Sequence, residues 1–287
     1  MTIQTRDFRC LHRMRVRWAE VDMQKIVFNA HYLMYFDTAM ADYWRAMAVP
    51  YESALQHLGG DLYVKKASLE YFASARYDDQ LDVGLRVARI GNSSITFLGT
   101  IVRGDTLLVT GELIYVYADP ATQTSQPVPA ALRALFTAFE AGEPMVRTIV
   151  GAWDSVHTGT TPLRQTVFVE EQGISSALVW DDADASAVHA SVVNQLGLTV
   201  AGGRLVQYAP GVGRIGRMAV ERVLRGTDLG RDVLLALVEA ARQRGDSEVM
   251  LHAQCSAQRF YERQGFKPRG AVFEEAGIAH IEMALEL

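Results

Sequence analysis

The sequence predicts an α+β chain built from two domains, and three observations carry the prediction. A wide apolar helical face beginning near Asn29 is followed by four strand-like runs. A break at Gly142–Pro144 follows a Pro/Thr/Gln-rich stretch at Asp119–Pro129. Beyond it strands and helices alternate, with a candidate anion-binding loop where a strand gives way to a helix. The boundary is placed at residue 145, giving domains 1–144 and 145–287.

In the first domain Met14 to Ala19 reads as an opening strand, and Asn29 as the N-cap of the first helix, its side chain accepting from a first-turn N–H. Tyr32, Leu33, Phe36, Ala39, Met40, Tyr43, Trp44 and Met47 recur at helical spacing, and the helix ends before Pro50. Strands follow at Asp61–Tyr71, Leu81–Ile90, Ser94–Val102 and Leu107–Tyr117, the last three separated by the hairpin turns Gly91-Asn92 and Gly104-Asp105. One long helix wrapped by a curved antiparallel sheet is the natural packing. Ala130–Ala141 reads as a short closing helix.

The second domain opens with a strand at Met145–Trp153, and the Gly/Thr-rich tract Val156–Pro162 reads as a linker or a loop. Leu163–Gln172 reads as helix, and Ala187–Leu196, Leu198–Tyr208 and Gly213–Val220 as strands. Leu229–Arg244 is an amphipathic helix stopped by Gly245. Val249–Ala253 as strand, Ala257–Gln264 as helix and Ile278–Leu285 as a last strand complete the order.

Composition excludes several classes. Hydrophobic residues make up 49% and charged residues 21%, which supports a buried core without an eighteen-residue membrane-spanning run. Met1–Asp7 lacks the apolar core of a signal peptide, and Cys10 and Cys255 read as free thiols of a reducing cytoplasm. The net charge of −5 divides as −2 over residues 1–143 and −3 over 144–287, so neither half offers a nucleic-acid surface. No metal-ligand spacing is present, and neither a membrane nor a nucleic acid is expected as partner.

Chemistry concentrates first at Asp22. It lies beside an apolar run leading into the helix start near Asn29, where a carboxylate can attack or deprotonate while helix N–H groups hold a developing oxyanion. That combination indicates a thioester or ester hydrolase. Asp22 with no catalytic role would simply be a turn carboxylate, Asn29 a cap, and His31 a pocket-lining residue. Glu20 is placed on the strand face opposite Asp22 and set aside.

Residues 10–130 resemble the hot-dog acyl-CoA thioesterases of the 4-hydroxybenzoyl-CoA and YbgC/FadM type. The resemblance rests on Arg15-Val16-Arg17-Trp18, on Asp22, on Ile26-Val27-Phe28-Asn29-Ala30-His31-Tyr32-Leu33 and on Asp119-Pro120. It implies that Asp22 is nucleophile or general base, that a backbone N–H near Asn29 polarises the thioester carbonyl, and that a homodimer or larger oligomer completes the pocket. Lys25 stands where many relatives carry glycine.

The second concentration is Arg225-Gly226-Thr227-Asp228-Leu229-Gly230, which opens a helix as an anion-binding loop does. With His252-Ala253-Gln254, Phe260-Tyr261-Glu262-Arg263-Gln264-Gly265-Phe266, Val167–Gly173, Trp180-Asp181 and Glu275–His280, it resembles the GNAT acetyltransferases of the ElaA-like branch over residues 163–285. The resemblance implies that the backbone of Met218, Ala219 and Val220 pairs with the pantetheine arm of acetyl-CoA. It also implies that Arg225, Gly226, Asp228, Leu229, Gly230 and Arg231 surround the pyrophosphate, and that Tyr261 protonates the leaving thiolate. Asp228 replaces the middle glycine of the family pattern, bringing a side chain and a charge toward the phosphates. Phe260 and Phe266 read as core, and His252 and Cys255 as packing residues with no third orienting group.

The sequence therefore reads as a hot-dog thioesterase domain fused to a GNAT domain. It is expected to hydrolyse acyl-CoA and to move an acetyl group from acetyl-CoA to an amine whose identity the sequence does not give. Two alternatives stay open: a catalytically retired C-terminal module that binds coenzyme A or acts as a scaffold, and an N-terminal domain acting on acyl-carrier-protein thioesters through Arg13, Arg15, Arg17, Lys65 and Lys66.

Overall fold

The computed structural model describes residues 7–287. Residues 1–6, most of the stretch read above as lacking a signal-peptide core, lie outside the described residues. The chain divides into two compact units, Met1–Met145 and Val146–Leu287.

The first unit contains β1 (Cys10–Arg15), α1 (Asn29–Ala46), α2 (Tyr51–Leu58), β2 (Asp61–Tyr71), β3 (Gln80–Ile90), β4 (Ser94–Arg103), β5 (Thr106–Ala118) and α3 (Ala130–Ala141). Its sheet runs β1-β3-β4-β5-β2, and every neighbouring pair is antiparallel. The apolar face of α1 is buried through Tyr32, Tyr35, Phe36, Ala39, Met40, Tyr43 and Trp44. The Phe36 ring fills the space above the cross-strand pair Gly99–Gly111, where a Cβ on Gly99 would come within 2.3 Å of it. Only glycine lets the helix settle that close to the sheet. This is the hot-dog architecture, a long helix held in a curved antiparallel sheet.

Two local expectations are corrected here. The opening strand ends at Arg15 and gives way to a 3₁₀ turn at Trp18–Glu20, so it does not reach Ala19. The first helix does end before Pro50, at Ala46, and Pro50 caps α2, a second helix closed by Gly59 at φ 75°. Asn29 is not the N-cap of α1. Phe28 holds that position in extended conformation with no side-chain hydrogen bond, and Asn29 is the first helical residue.

The second unit contains β6 (Val146–Gly151), α4 (Trp153–Arg164), α5 (Ser176–Val179), β7 (Val188–Asn194), β8 (Thr199–Ala209), β9 (Val212–Val220), α6 (Leu229–Arg244), β10 (Glu248–Gln254), α7 (Gln258–Glu262), β11 (Lys267–Glu275) and β12 (Ile278–Glu286). Its sheet runs β11-β12-β10-β9-β8-β7-β6, with β9 and β10 parallel and the other pairs antiparallel. This is the mixed sheet with flanking helices of the GNAT fold. The core sits where Val233, Leu234 and Leu237 of α6 meet buried residues of the sheet such as Ala190 and Leu205.

Val156–Pro162 is helical rather than a loop, lying inside α4, which runs on into π-helical turns over Gln165–Glu171. Packing overrides the poor helix propensity of glycine and threonine. A Cβ on Gly159 would fall 2.1 Å from the Thr199 hydroxyl, and buried Thr160 shares a 3.0 Å hydrogen bond with Ser191. Strand β11 was not anticipated. It is mostly exposed, and a register shift between Arg269 and Phe273, with Gly270 at φ 77°, interrupts its alternation. Among the described residues no helix is long and apolar enough to cross a membrane, and no His, Cys, Asp and Glu cluster is placed to hold a metal ion.

Candidate active sites

In the first unit the chain leaves the 3₁₀ turn through Val21, which bridges to Val27. The intervening turn is closed by Asp22 N–H donating to the Ile26 carbonyl and Lys25 N–H donating to the Asp22 carbonyl, each at 2.9 Å. Lys25 adopts φ 62°, the left-handed region that favours glycine. The Asp22 carboxylate accepts the Gln24 N–H at 2.8 Å through Oδ1.

The start of α1 faces the same space. Phe28 has no side-chain acceptor to cap the helix, so among the described residues the N–H groups of Asn29 and Ala30 have no partner, whereas His31 N–H turns back to the Phe28 carbonyl. Asp22 and Asn29 both line a cleft of about 680 Å³, together with Tyr71 at the end of β2 and Phe72 just after it. The Tyr71 hydroxyl donates to the Asn29 carbonyl at 3.2 Å, and Tyr32 is anchored by the Ala75 N–H at 2.8 Å. A carboxylate, open helix N–H groups and apolar walls are therefore in one place. His31 is not part of the lining.

Glu20, set aside from sequence, is nearly inaccessible at 2% exposure. Burial alone would raise its carboxyl, but hydrogen bonds from the Arg17 backbone, the Tyr35 hydroxyl and the Arg17 guanidinium outweigh it and hold the group below the usual carboxylate range. Its backbone carbonyl also accepts the Phe28 N–H. Glu20 thus fastens the Asp22 turn to the beginning of α1. The strand alternation used to place it does not apply, because the strand has already ended.

In the second unit β9 and β10 pair only from Val212 to Ile215 against Glu248 to Leu251, and then part. On its other side β9 stays joined to β8 as far as Val220, with an irregularity opposite Gly202–Arg204 and Arg217 at φ 54°. The backbone of Gly216 to Val220 thus has no strand partner toward β10, and the gap forms part of a cleft of about 620 Å³. Met218 and Tyr261 both line it. Tyr261 is 7% exposed on α7, and burial pushes its hydroxyl up to about 12, which keeps it protonated at neutral pH. Phe266 is buried and Phe260 half-buried.

The loop after β9 is arranged differently from the cleft. Gly226 takes the positive φ of 84°, while Asp228 sits at φ −78° immediately before α6. Aspartate in place of glycine there imposes no backbone strain. Its effect is electrostatic: the Asp232 carboxyl is raised, first by burial and then by the neighbouring Asp228 charge. The Arg225 guanidinium grips Glu171 with two bonds of 2.5 and 2.7 Å and reaches the Val220 carbonyl through Nε. Arg225, Gly226, Asp228, Leu229, Gly230 and Arg231 lie outside the lining of the cleft that holds Tyr261.

Two groups of this cleft were missed from sequence. His252 does have an orienting partner: its Nδ1 lies 2.8 Å from Glu275 and 2.9 Å from an Arg214 nitrogen. Burial would raise the Glu275 carboxyl, but the His252 hydrogen bond and the nearby Arg214 hold it low. In the wall of the cleft Arg204 and Arg217 close on Asp181, and behind that wall Arg204 and buried Arg164 close on Asp184.

Residues 16–136 match the Thioesterase-like superfamily and residues 172–287 match the Acetyltransferase (GNAT) domain. A UPF0039 protein of Schizosaccharomyces pombe is 36% identical over 127 residues, which is 44% of this chain and 84% of that protein. The acyl-CoA thioester hydrolase YbgC of Escherichia coli is 28% identical over 123 residues, 42% of this chain and 91% of that protein. Among solved structures, one described as a "putative N-acetyltransferase from Lactobacillus plantarum" is 34% identical, with 50% of this chain and 99% of that one aligned at a TM-score of 0.47.

Proposed function

The chain belongs to two families, the thioesterase-like hot-dog superfamily in its first unit and the GNAT acetyltransferases in its second, and from that premise we propose that both units act on acyl-CoA. The first hydrolyses an acyl-CoA to a free acid and coenzyme A. Asp22 is the nucleophile or the base that activates water, and the Asn29 N–H holds the thioester oxygen as it becomes an oxyanion. The observation that carries this reading is the shared cleft, which sets the Asp22 carboxylate beside the uncapped start of α1. The edge strand β2 exposes Tyr63, Val64 and Tyr71, and Phe72 follows it, so a second copy of the chain is the partner that completes this side.

The carrier-protein alternative loses support. Of the five cations invoked, Arg13, Arg15, Arg17 and Lys66 are each paired with a carboxylate, Asp82, Asp78, Glu20 and Glu112 respectively. The test is thiol release from a panel of acyl-CoAs by the wild-type chain and Asp22→Asn. Asparagine keeps the side-chain oxygen that accepts the Gln24 N–H, so the turn stays and the rate falls about 10²–10⁴-fold. Equal rates for the two proteins would sink the mechanism.

The second unit transfers an acetyl group from acetyl-CoA to an amine. With β9 and β10 parted, the backbone of Met218, which lines the cleft, and of Ala219 and Val220 beyond it takes the amides of pantetheine, the Val220 carbonyl also accepting from Arg225 Nε, and Tyr261 gives its proton to the departing thiolate. The loop from Arg225 to Arg231 takes the pyrophosphate. One observation favours the second reading, of a retired scaffold: Arg225 is already committed to Glu171. Acetyl-CoA separates the two, because a working site raises the unfolding temperature of this unit and a scaffold leaves it unmoved up to millimolar ligand.

A further inference from the structure

The cleft of the second unit carries an excess of positive charge away from the phosphate loop. Arg204, Arg214 and Arg217 line it against two carboxylates, Asp181 and Glu275. Asp181 is fully engaged, gripped twice by Arg204 and once by Arg217. Arg217 is engaged too, donating to the Leu178 and Val179 carbonyls. Arg214 is different. One of its nitrogens meets His252 and lies 3.8 Å from Glu275, and among the described residues its other guanidinium nitrogens have no partner. It precedes Val220 by six residues of β9, roughly 20 Å of strand, and so lies far from any pyrophosphate held by the loop.

The His252 contacts cannot all be hydrogen bonds at once. Nδ1 faces the Glu275 carboxylate, which only accepts, and the Arg214 guanidinium, which only donates. If Nδ1 carries the proton, Glu275 receives it, Arg214 is left without an acceptor, and Nε2 is a lone pair. If Nδ1 is bare, it accepts from Arg214, Glu275 loses its bond, and Nε2 carries the proton and cannot act as a base. The occupant of the cleft that best resolves this competition is one that gives Arg214 another acceptor.

We propose that the amine taken by this cleft also bears an anionic group, and that this anion draws the Arg214 guanidinium off His252 and so fixes the imidazole in its Nδ1–H, Glu275-bonded form. The inference rests on the acetyltransferase reading of the unit and names its acceptor class: amino acids and related amines with a carboxylate, rather than polyamines. Nε2 then takes one proton from the acceptor ammonium. The amine nitrogen forms its bond to the acetyl carbon as the C–S bond breaks, and the thiolate takes the Tyr261 proton. The Tyr261 phenolate recovers a proton from the new amide nitrogen, and the His252 proton passes to solvent. Arg214 is a positioning residue in this scheme and His252 the base.

The test uses the full chain with coenzyme A added and isotope-labelled histidine, the His252 NMR signal being identified by its loss in His252→Gln. It is titrated with the protein amino acids and, separately, with their α-carboxamides. The expected result is that at least one amino acid binds tenfold or more tighter than its carboxamide. That amino acid moves His252 toward the Nδ1–H form that Arg214→Gln shows without ligand, and Arg214→Gln erases the preference. Equal binding of every acid and amide, or a tautomer that no acid moves, overturns the proposal. Coenzyme A release from acetyl-CoA with the same amines tests the underlying reading separately. No transfer while His252 still responds removes the acetyltransferase reading and keeps the anion site. Transfer as fast to amides as to acids does the reverse.

Discussion

Replacing Asp184 by alanine isolates the energetics of the buried charge cluster beside the cleft of the second unit. Its carboxylate takes Arg164 and Arg204 at 2.8 Å each, and Arg164 is 1% exposed. Arg164 has little else: Nε and one terminal nitrogen lack partners, and its remaining support is the Trp153 ring, 5.0 Å away. Alanine at 184 therefore strands a desolvated cation, at a cost of about 3–5 kcal/mol. For a unit of this size that lowers the unfolding temperature by roughly 10–15 °C. Arg164→Met costs less, because Asp184 keeps Arg204 and the stranded donors disappear. The double variant recovers roughly half or more of the alanine loss. Calorimetry of the full chain reads this from the second unit's transition.

The pH dependence follows from the same groups. Burial would raise the Asp184 carboxyl, but Arg164 and Arg204 hold it below its ordinary value, so its stabilisation is present above about pH 4 and fades as pH falls through the depressed value. His189, fully buried and donating through Nε2 to the Asp184 carbonyl, has its imidazole lowered chiefly by burial. It adds a loss that begins on acidification below about pH 6.5. A shift under about 1 kcal/mol in Asp184→Ala at pH 7, or the same shift at pH 7 and pH 3, would refute the reasoning.

Three other outcomes are expected. Glu20→Gln removes the charge that Arg17 and Tyr35 hold, so it lowers the first unit's transition at pH 7 and leaves the second unit's alone, and its difference from wild type shrinks as pH falls through the depressed Glu20 value, as calorimetry over an acid pH series will read. Tyr261→Phe lowers kcat for acetyl transfer about 10²-fold or more with little change in acetyl-CoA affinity, which steady-state kinetics and calorimetric titration check. Asp228→Asn tightens acetyl-CoA roughly fivefold at low salt, and the gain shrinks in high salt, because exposed Asp228 perturbs charge and not backbone shape.

The elements that pack a regular face were readable from sequence. Asp61–Tyr71, Ala130–Ala141 and Leu229–Arg244 fall where their periodicities place them. Tertiary contacts decided the rest. Gly159 and Thr160 are helical because they fit against Thr199 and Ser191, which lie more than thirty residues away. At the first site the apolar run and Asp22 were legible, but the bare helix start was not, since asparagine at position 29 looks like a cap until the register is known. At the second, His252 and Glu275 sit 23 residues apart in sequence and meet only through the folding of β10, β11 and β12 into one sheet.

The parting of β9 and β10 has a mechanical consequence. A seven-stranded sheet with a gap halfway along one of its central pairs is two panels sharing a short hinge of paired residues, Val212–Ile215 against Glu248–Leu251. A ligand whose amides bond the open edge of β9 would act as a missing strand and stitch the panels together. Amide hydrogens along Gly216 to Val220 that face the gap should then exchange with solvent quickly in the empty protein and slowly once acetyl-CoA is bound, while those facing β8 change little.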